Sequence, residues 1–507
     1  MRPFPLPRLL IMQSLSKILF NGHFYLGNNQ WAENIGISKE GSIVLDTASF
    51  SGPRIDMRSR YIYPAFEDAH NHPARRSRTL QEVDLRGQSL TWPEVKIILQ
   101  EKIAQTPAGQ WVVCHGWNQA WGSVTQQDVN ELSHDHGIFI IHISYHGALV
   151  NKKGLDLLAA AGLRCNTRDG VLHEDIFEQA ENITAPNTQT YIDLIRRYQE
   201  RLVRKGLGAV HDLYVANMAQ VEAYHELEHS GKLLLDTPIY VGTQLLQQGQ
   251  RLQPFVRPAA RAPIVGLKLF IDGTIGTRTA AFHDSYCDVA NKGMVRLTKE
   301  SCKEYIKKAA DLGLTHIAMH CIGDEGIDRA VDWFQEFQSE FGSAITTWRF
   351  EHFEMPTPHA IEALAQHGGI ASMQPNFLWD AVHYQQAVGD RVKNINPFQS
   401  LIQAGVPIIF GSDDVPTGPL EGLAWTCAQA PYPNQALTVE QAFAFYTSEP
   451  ARIVKADHRG RIAPGYDANL VVLDTNIFSG NAADLTTAEV SQTWIRGEKV
   501  WDSPSAH

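Results

Sequence analysis

From about residue 64 to residue 458 the chain alternates short apolar runs with helical segments, and this alternation limits its fold more than any other feature. The runs read as strands: Trp111–Cys114, Ile138–Ile143, Gly208–His211, Pro238–Val241, Val265–Ile271, His316–His320, Trp348–His352, Gly369–Met373 and Pro407–Gly411. Helix signals fall between them. Thr91 with Glu94 fits a capping box, Thr438 with Gln441 opens another helix, and Thr357-Pro358 followed by Gly368 supplies a cap, an N1 proline and a terminal glycine. Parallel strands need long crossovers, most often helices, so the alternation predicts an α/β fold around a parallel sheet. With the strand before His70 the count is about ten, above the eight that close a barrel. The surplus predicts a subdomain inserted within about residues 75–190.

The two ends have a different texture. Residues 12–63 carry the short runs Ile18–Phe20, His23–Tyr25 and Ser42–Leu45, cut by Gly, Asn and Asp. Residues 459–507 carry Ala468–Asp474 and a hairpin from Val490 to Val500 that turns at Arg496-Gly497. Neither piece could bury a core alone. They are expected to meet in one small composite β-sandwich, leaving 64–458 as the central domain. Tyr61-Ile62-Tyr63 reads as the start of the strand leading to His70. Residues 1–11 read as an extension or a misplaced start, too weakly apolar for a secretory signal.

Composition excludes several classes. A net charge of −11 offers no basic stripe for nucleic acid, and no run nears the roughly 18 apolar residues of a membrane span. Six cysteines are scattered without a Cys-x-x-Cys pair, which suits a reducing, cytoplasmic setting. The pattern sets no oligomeric state; a homodimer is compatible with it.

The stretch Pro64–Pro73 contains His70 and His72. Histidines at i and i+2 of a strand share a face, and at a strand end two imidazoles can meet one metal ion. Lys268, His320, His352 and Asp413 each close a short apolar segment downstream. In a closed parallel barrel all such ends converge on one mouth, where chemistry is done.

The stretches PAFEDAHNHP, SYHGALVNKKGL, GLKLFIDGTIGTRTAAF, MHCIGDEGID, RFEHFEM, GSDDVPTGP and GRIAPGYDANLVVLD span residues 64–474. Together they resemble the amidohydrolase superfamily, and most closely amidohydrolase family 3, which includes N-substituted formamide deformylases. Ala65 and Glu67 stand where that family usually has glycine and an apolar residue. The resemblance implies a TIM-type (β/α)8 metal-dependent hydrolase barrel with a β-sandwich built from both termini. It implies a divalent metal, with zinc suited to imidazole and carboxylate donors and iron or manganese as alternatives. His70, His72 and Asp413 would hold one ion and His320 with His352 a second. An ammonium cannot ligate a cation. In superfamily members the lysine at the position of Lys268 is carboxylated by carbon dioxide, so a bridging carbamate there is expected; the alternative is an unmodified lysine and a single ion.

The function that follows is hydrolysis of a non-peptide carbon–nitrogen bond, an amide or formamide of a small molecule, by water activated at the metal. Asp413 would act as ligand and as general base and acid. Two alternatives stand beside it: a mononuclear deaminase of a heterocycle, and a regulatory homologue that has lost the chemistry. Trp117 with Trp121, His146 and Arg278 are candidates for the substrate wall, Arg278 for an anionic group. His211, Asp212, Asp324 and Glu351 are candidates to orient ligands. His134 and His136 read as structural.

Overall fold

Eight of the expected strands form one parallel barrel: β1 (Phe66–Asn71), β2 (Leu207–Val215), β3 (Ile239–Val241), β4 (Ile264–Phe270), β5 (His316–Cys321), β6 (Thr347–His352), β7 (Ile370–Met373) and β8 (Ile408–Phe410). The computed structural model describes residues 15–504 apart from Ser49, Ser144 and Thr417, and omits the side chains of Asp380 and Val382. The expected extension at residues 1–11 lies outside the described residues. The strands pair in sequential order from β1 to β8, each parallel to the next. β1, β5 and β6 are buried along their whole length, as a sheet covered by helices requires.

The seam between β8 and β1 closes just beyond β8. Asp413 N donates to His70 O at 2.7 Å. Gly411 runs so close to β1 that a Cβ on it would lie 2.2 Å from His70 N, so only glycine fits. The buried Asp68 carboxylate clamps the same seam, accepting from Ser412 N at 3.0 Å, Ser412 Oγ at 2.6 Å and Asn71 Nδ2 at 3.0 Å.

The chain ends form a separate eight-stranded sheet in the order Glu498–Asp502, Val490–Ile495, Leu470–Leu473, Tyr61–Pro64, Lys17–Gly27, Gln30–Ile37 and Ile43–Val44, with Arg54–Asp56 on Lys17–Gly27. Its faces divide by the two-residue period. Leu470 and Val472 pack with Leu19, Phe24, Ile62 and Trp494, whereas Val471 and Leu473 join the barrel's core. Tyr61–Pro64 therefore belongs to this sheet, opposite Leu470–Leu473, and does not begin β1. The chain changes partners at Ala65, whose N–H bonds Asn469 O while that of Phe66 bonds Gly206 O.

Trp111–Trp117 and Gly137–His142, the two remaining expected strands, sit in a five-stranded sheet with Val83–Asp84, Gly147–Val150 and Val171–His173, inserted between β1 and β2. It has its own apolar clusters, one around Val95, Leu99 and Ile138 and another around Phe139 and Phe177. Thr91 and Glu94 form the capping box of its first long helix. Among the described residues no helix is long and apolar enough to cross a membrane.

Candidate metal centre and active site

A cavity of about 470 Å³ opens at the C-terminal ends of the strands, and His70, His72, Lys268, His320, His352 and Asp413 all line it. Each arrives by a different local device. His70 is the penultimate residue of β1, and His72 follows one pleat later on the same side. Lys268 lies within β4, and His320 lies near the end of β5. His352 directly follows Glu351, so strict alternation would send their side chains to opposite faces. Left-handed φ values of +72° at His352 and +47° at Phe353 end that alternation, and both side chains enter the site. Asp413 and Asp414, at +50° and +62°, make the corresponding turn after β8.

The hydrogen bonds leave ring nitrogens of this cluster with unused lone pairs. His70 Nδ1 is 2.6 Å from Glu351 Oε2, and both side chains are fully buried. Burial alone would raise the Glu351 carboxyl, but Arg349 and Lys268 hold it below the ordinary range, so it stays an acceptor. Nδ1 must then carry the proton, and the buried Nε2, with no protein partner, carries the lone pair. His320 Nε2 lies 3.0 Å from Gly273 O, which can only accept, so its lone pair is on Nδ1. His72 Nε2 lies 3.0 Å from Asp413 Oδ1 and its Nδ1 has no partner; nor has His352 Nδ1. One donor atom each from His70, His72 and Asp413 falls within 4.8 Å of the others. The His320 ring is 4.4 Å from that of His352, which is 4.8 Å from that of His70.

Electrostatics favours a cation. Burial first, then neighbouring positive groups including Lys268, holds His70, His320 and His352 well below the ordinary imidazole range, in the neutral form that ligates metal. Burial would raise Asp413, but the hydrogen bond from His72 keeps it well below the usual carboxylate range. Lys268 is pushed down to about 8 by burial, and its Nζ has no hydrogen-bond partner. Neutral imidazoles and an ionised carboxylate with unused lone pairs fit a divalent ion of the zinc type.

A second acidic group, Asp236, His458 and Asp467, has similar spacing but the wrong surroundings. Asp236 already accepts from Arg261, Arg459 and Arg496 at 2.6, 2.9 and 3.3 Å, and three guanidinium groups repel a cation.

The other expected residues scatter. His146 lines the cavity and pairs with Glu174 at 2.9 Å. Trp117 instead lines a neighbouring cavity, and Trp121 is packed inside the insertion. Arg278 lines that neighbouring cavity too, where Asp288 at 2.5 Å and the carbonyls of Ile275 and Gly276 occupy it. Of the orienting candidates, Glu351 holds His70, while His211 bonds Glu67 at 2.8 Å. Asp212 accepts from Ala74 N and Tyr224, and Asp324 from the backbone of His283 and Glu325. His136 bonds Ser133 and Thr106 within the insertion. Three contributors escaped the sequence reading: Arg349, Asp68 and Arg76. Arg349 had a legible signal, two residues before Glu351 on the same strand face.

The amidohydrolase family model matches residues 54–501. YtcJ of Bacillus subtilis strain 168 is 25% identical over 487 residues, covering 88% of this chain and 90% of that protein. The N-substituted formamide deformylase of Arthrobacter pascens is 24% identical over 492 residues, covering 87% and 89%. Among solved structures, an uncharacterized metal-dependent hydrolase from Pyrococcus horikoshii superposes with a TM-score of 0.78 at 26% identity, covering 92% of this chain and 99% of that one. With its closed barrel and its cluster of metal-ligand side chains, the chain belongs to the amidohydrolase family, family 3 within it, and is a metal-dependent hydrolase.

Proposed function

We propose that the protein hydrolyses an amide or formamide carbon–nitrogen bond of a small molecule, using zinc. The observation that carries this reading is the convergence of unpartnered lone pairs, with His70 Nε2 foremost, at one end of the barrel beside an ionised Asp413. His70, His72 and Asp413 would hold one ion, and His320 with His352 a second. Lys268, buried and depressed to about 8, has more neutral amine available at physiological pH than an exposed lysine. The neutral amine is the form that carbon dioxide carboxylates, which supports a carbamate there. Metal in this site supplies polarisation of a substrate carbonyl and acidification of a water.

The chain's own side chains do the rest. Glu351 fixes the His70 tautomer. Asp413, ionised at neutral pH, takes a proton from the attacking water on its free carboxylate oxygen and returns it to the leaving nitrogen. The likeness to a formamide deformylase supports a formyl or short acyl group. Scattered free cysteines support a cytoplasmic setting.

The test is an assay of metal-free protein reloaded with zinc against N-formyl and N-acyl amines. Hydrolysis that depends on zinc is expected, with Asp413→Asn slower by about 100-fold or more. Zinc-independent turnover, or none of these substrates cleaved, contradicts the reading. Lys268→Ala separates the deaminase alternative: full activity with one ion would favour it.

A further inference from the structure

We propose that Arg76 binds a carboxylate of the substrate, so that the enzyme acts on N-acyl compounds carrying both an anionic carboxylate and an aryl or alkyl group. This rests on the carbon–nitrogen hydrolase reading above and adds the substrate class to it. Arg75 and Arg76 are neighbours on the single helical turn Pro73–Arg76 that follows His72, yet their side chains have different fates. Arg75 is committed, with Nε and Nη2 donating to the two oxygens of Glu181 at 2.9 and 2.6 Å. Arg78 is held by Glu82 and Thr184, and Arg86 by both oxygens of Asp84. Arg76 differs. Its side chain is 6% exposed, and both Nε and Nη1 are buried without a hydrogen-bond acceptor.

Its nearest acid is Asp414, 3.4 Å from Nε, and that carboxylate is shared with Tyr198 at 2.5 Å and Arg86 at 3.4 Å. Nη2 reaches Asp413 O only at 3.4 Å. Stacking on the Tyr145 ring, 4.0 Å from the guanidinium carbon, holds the group in place. A buried cation with unmet donors is costly, and the cost is removed if its acceptor arrives with a ligand. A planar guanidinium matches a carboxylate in two parallel hydrogen bonds.

The position fits that role. Arg76 lines the main cavity with Asp413, and Ile143, Ile275, Phe377, Trp379 and Tyr384 line it too. Ile143 and Trp379 are 44% and 41% exposed, large apolar side chains left open at the mouth. An anionic head beside the metal centre and an apolar body against this wall would satisfy both. The anion-binding arginine expected at Arg278 is thereby Arg76, since Arg278 is taken by Asp288.

The experiment compares N-formylphenylalanine with N-formyl-2-phenylethylamine, which keep the same formamide and ring and differ in the carboxylate. The zinc-loaded wild type is expected to prefer the acid in kcat/KM by about 100-fold. Arg76→Gln should bring that ratio towards one, and Arg76→Lys should restore part of it. A strut between Tyr145 and Asp414 would change both substrates alike and leave the ratio standing. In parallel, 3-phenylpropionate is titrated into metal-free protein, where wild type should bind and Arg76→Gln should not. Equal turnover of the two formamides by wild type, or an unchanged ratio in Arg76→Gln, overturns the proposal. If neither formamide is cleaved, the hydrolase reading fails, and 3-phenylpropionate still decides: binding lost in Arg76→Gln supports the carboxylate site, while absent or unchanged binding removes it.

Discussion

At the level of Arg349 the barrel interior is a closed network, whereas about 10 Å along the strands, at the mouth, the same residue types stand with open valences. Arg349 donates through all five of its N–H groups, to Glu351, His211, Tyr240, Ala69 O and Ser372. His211 passes the network to Glu67, and Glu67 accepts in turn from Arg459. Glu67, an acid where family 3 usually has an apolar residue, is thus buried at no loss of partners. At the mouth, His70 Nε2, His72 Nδ1, His352 Nδ1 and Lys268 Nζ are equally buried and have none. Buried polar groups are almost always satisfied, so the unsatisfied layer marks where a ligand belongs. The satisfied layer is the scaffold that aims it. Glu351 belongs to both, taking Arg349 on one side and His70 on the other.

The difference can be broken from either side. The largest effect is expected at the mouth: Asp413→Asn should lower kcat/KM by about 100- to 10,000-fold while the melting temperature moves little, as kinetics with a thermal melt will show. Below it, Arg349→Met should cost about 3–5 kcal/mol of stability in a denaturant titration, because it strands Glu351 as an uncompensated buried charge. If Arg349→Met were as stable as wild type, the division into scaffold and site would fail. Glu351→Gln keeps the shape but weakens the hold on His70, and zinc affinity should fall about 10- to 100-fold in a chelator competition.

The smallest effect sharpens the contrast most. Lys268→Met removes a buried cation with no hydrogen-bond partner and should leave the metal-free protein as stable or slightly more stable near pH 7. Lys268 ionises near 8 when folded against 10.5 ordinarily, so from about pH 8 towards 10.5 the unfolded chain binds the extra proton. Stability of the metal-free wild type should therefore gain an upward slope in that window that Lys268→Met lacks, measured by urea titration at several pH values.

Much of this was legible in the chain itself. Strand ends in a closed parallel barrel share one mouth, so His70, Lys268, His320, His352 and Asp413, each near the end of an apolar run, could be grouped without coordinates. Periodicity does not say which sheet a strand joins, which is why Tyr61-Ile62-Tyr63 was expected to lead into the barrel and instead pairs with Leu470–Leu473. Asp68 and Arg76 were invisible for a related reason. The first matters because Ser412 folds back on it, the second because its Nε and Nη1 find no hydrogen-bond acceptor, and both facts exist only once the barrel closes. Trp117, at the end of a strand of the insertion, and Arg278, on a loop, carried the right chemistry, but no local pattern sets which cavity they face.

The most direct measurement is an anomalous difference map at the zinc edge from crystals grown with zinc. The account predicts a peak within bonding distance of His70 Nε2 and the Asp413 carboxylate, with a second beside His320 and His352. A map with its peak at Asp236, His458 and Asp467, or with none at the barrel mouth, would contradict it.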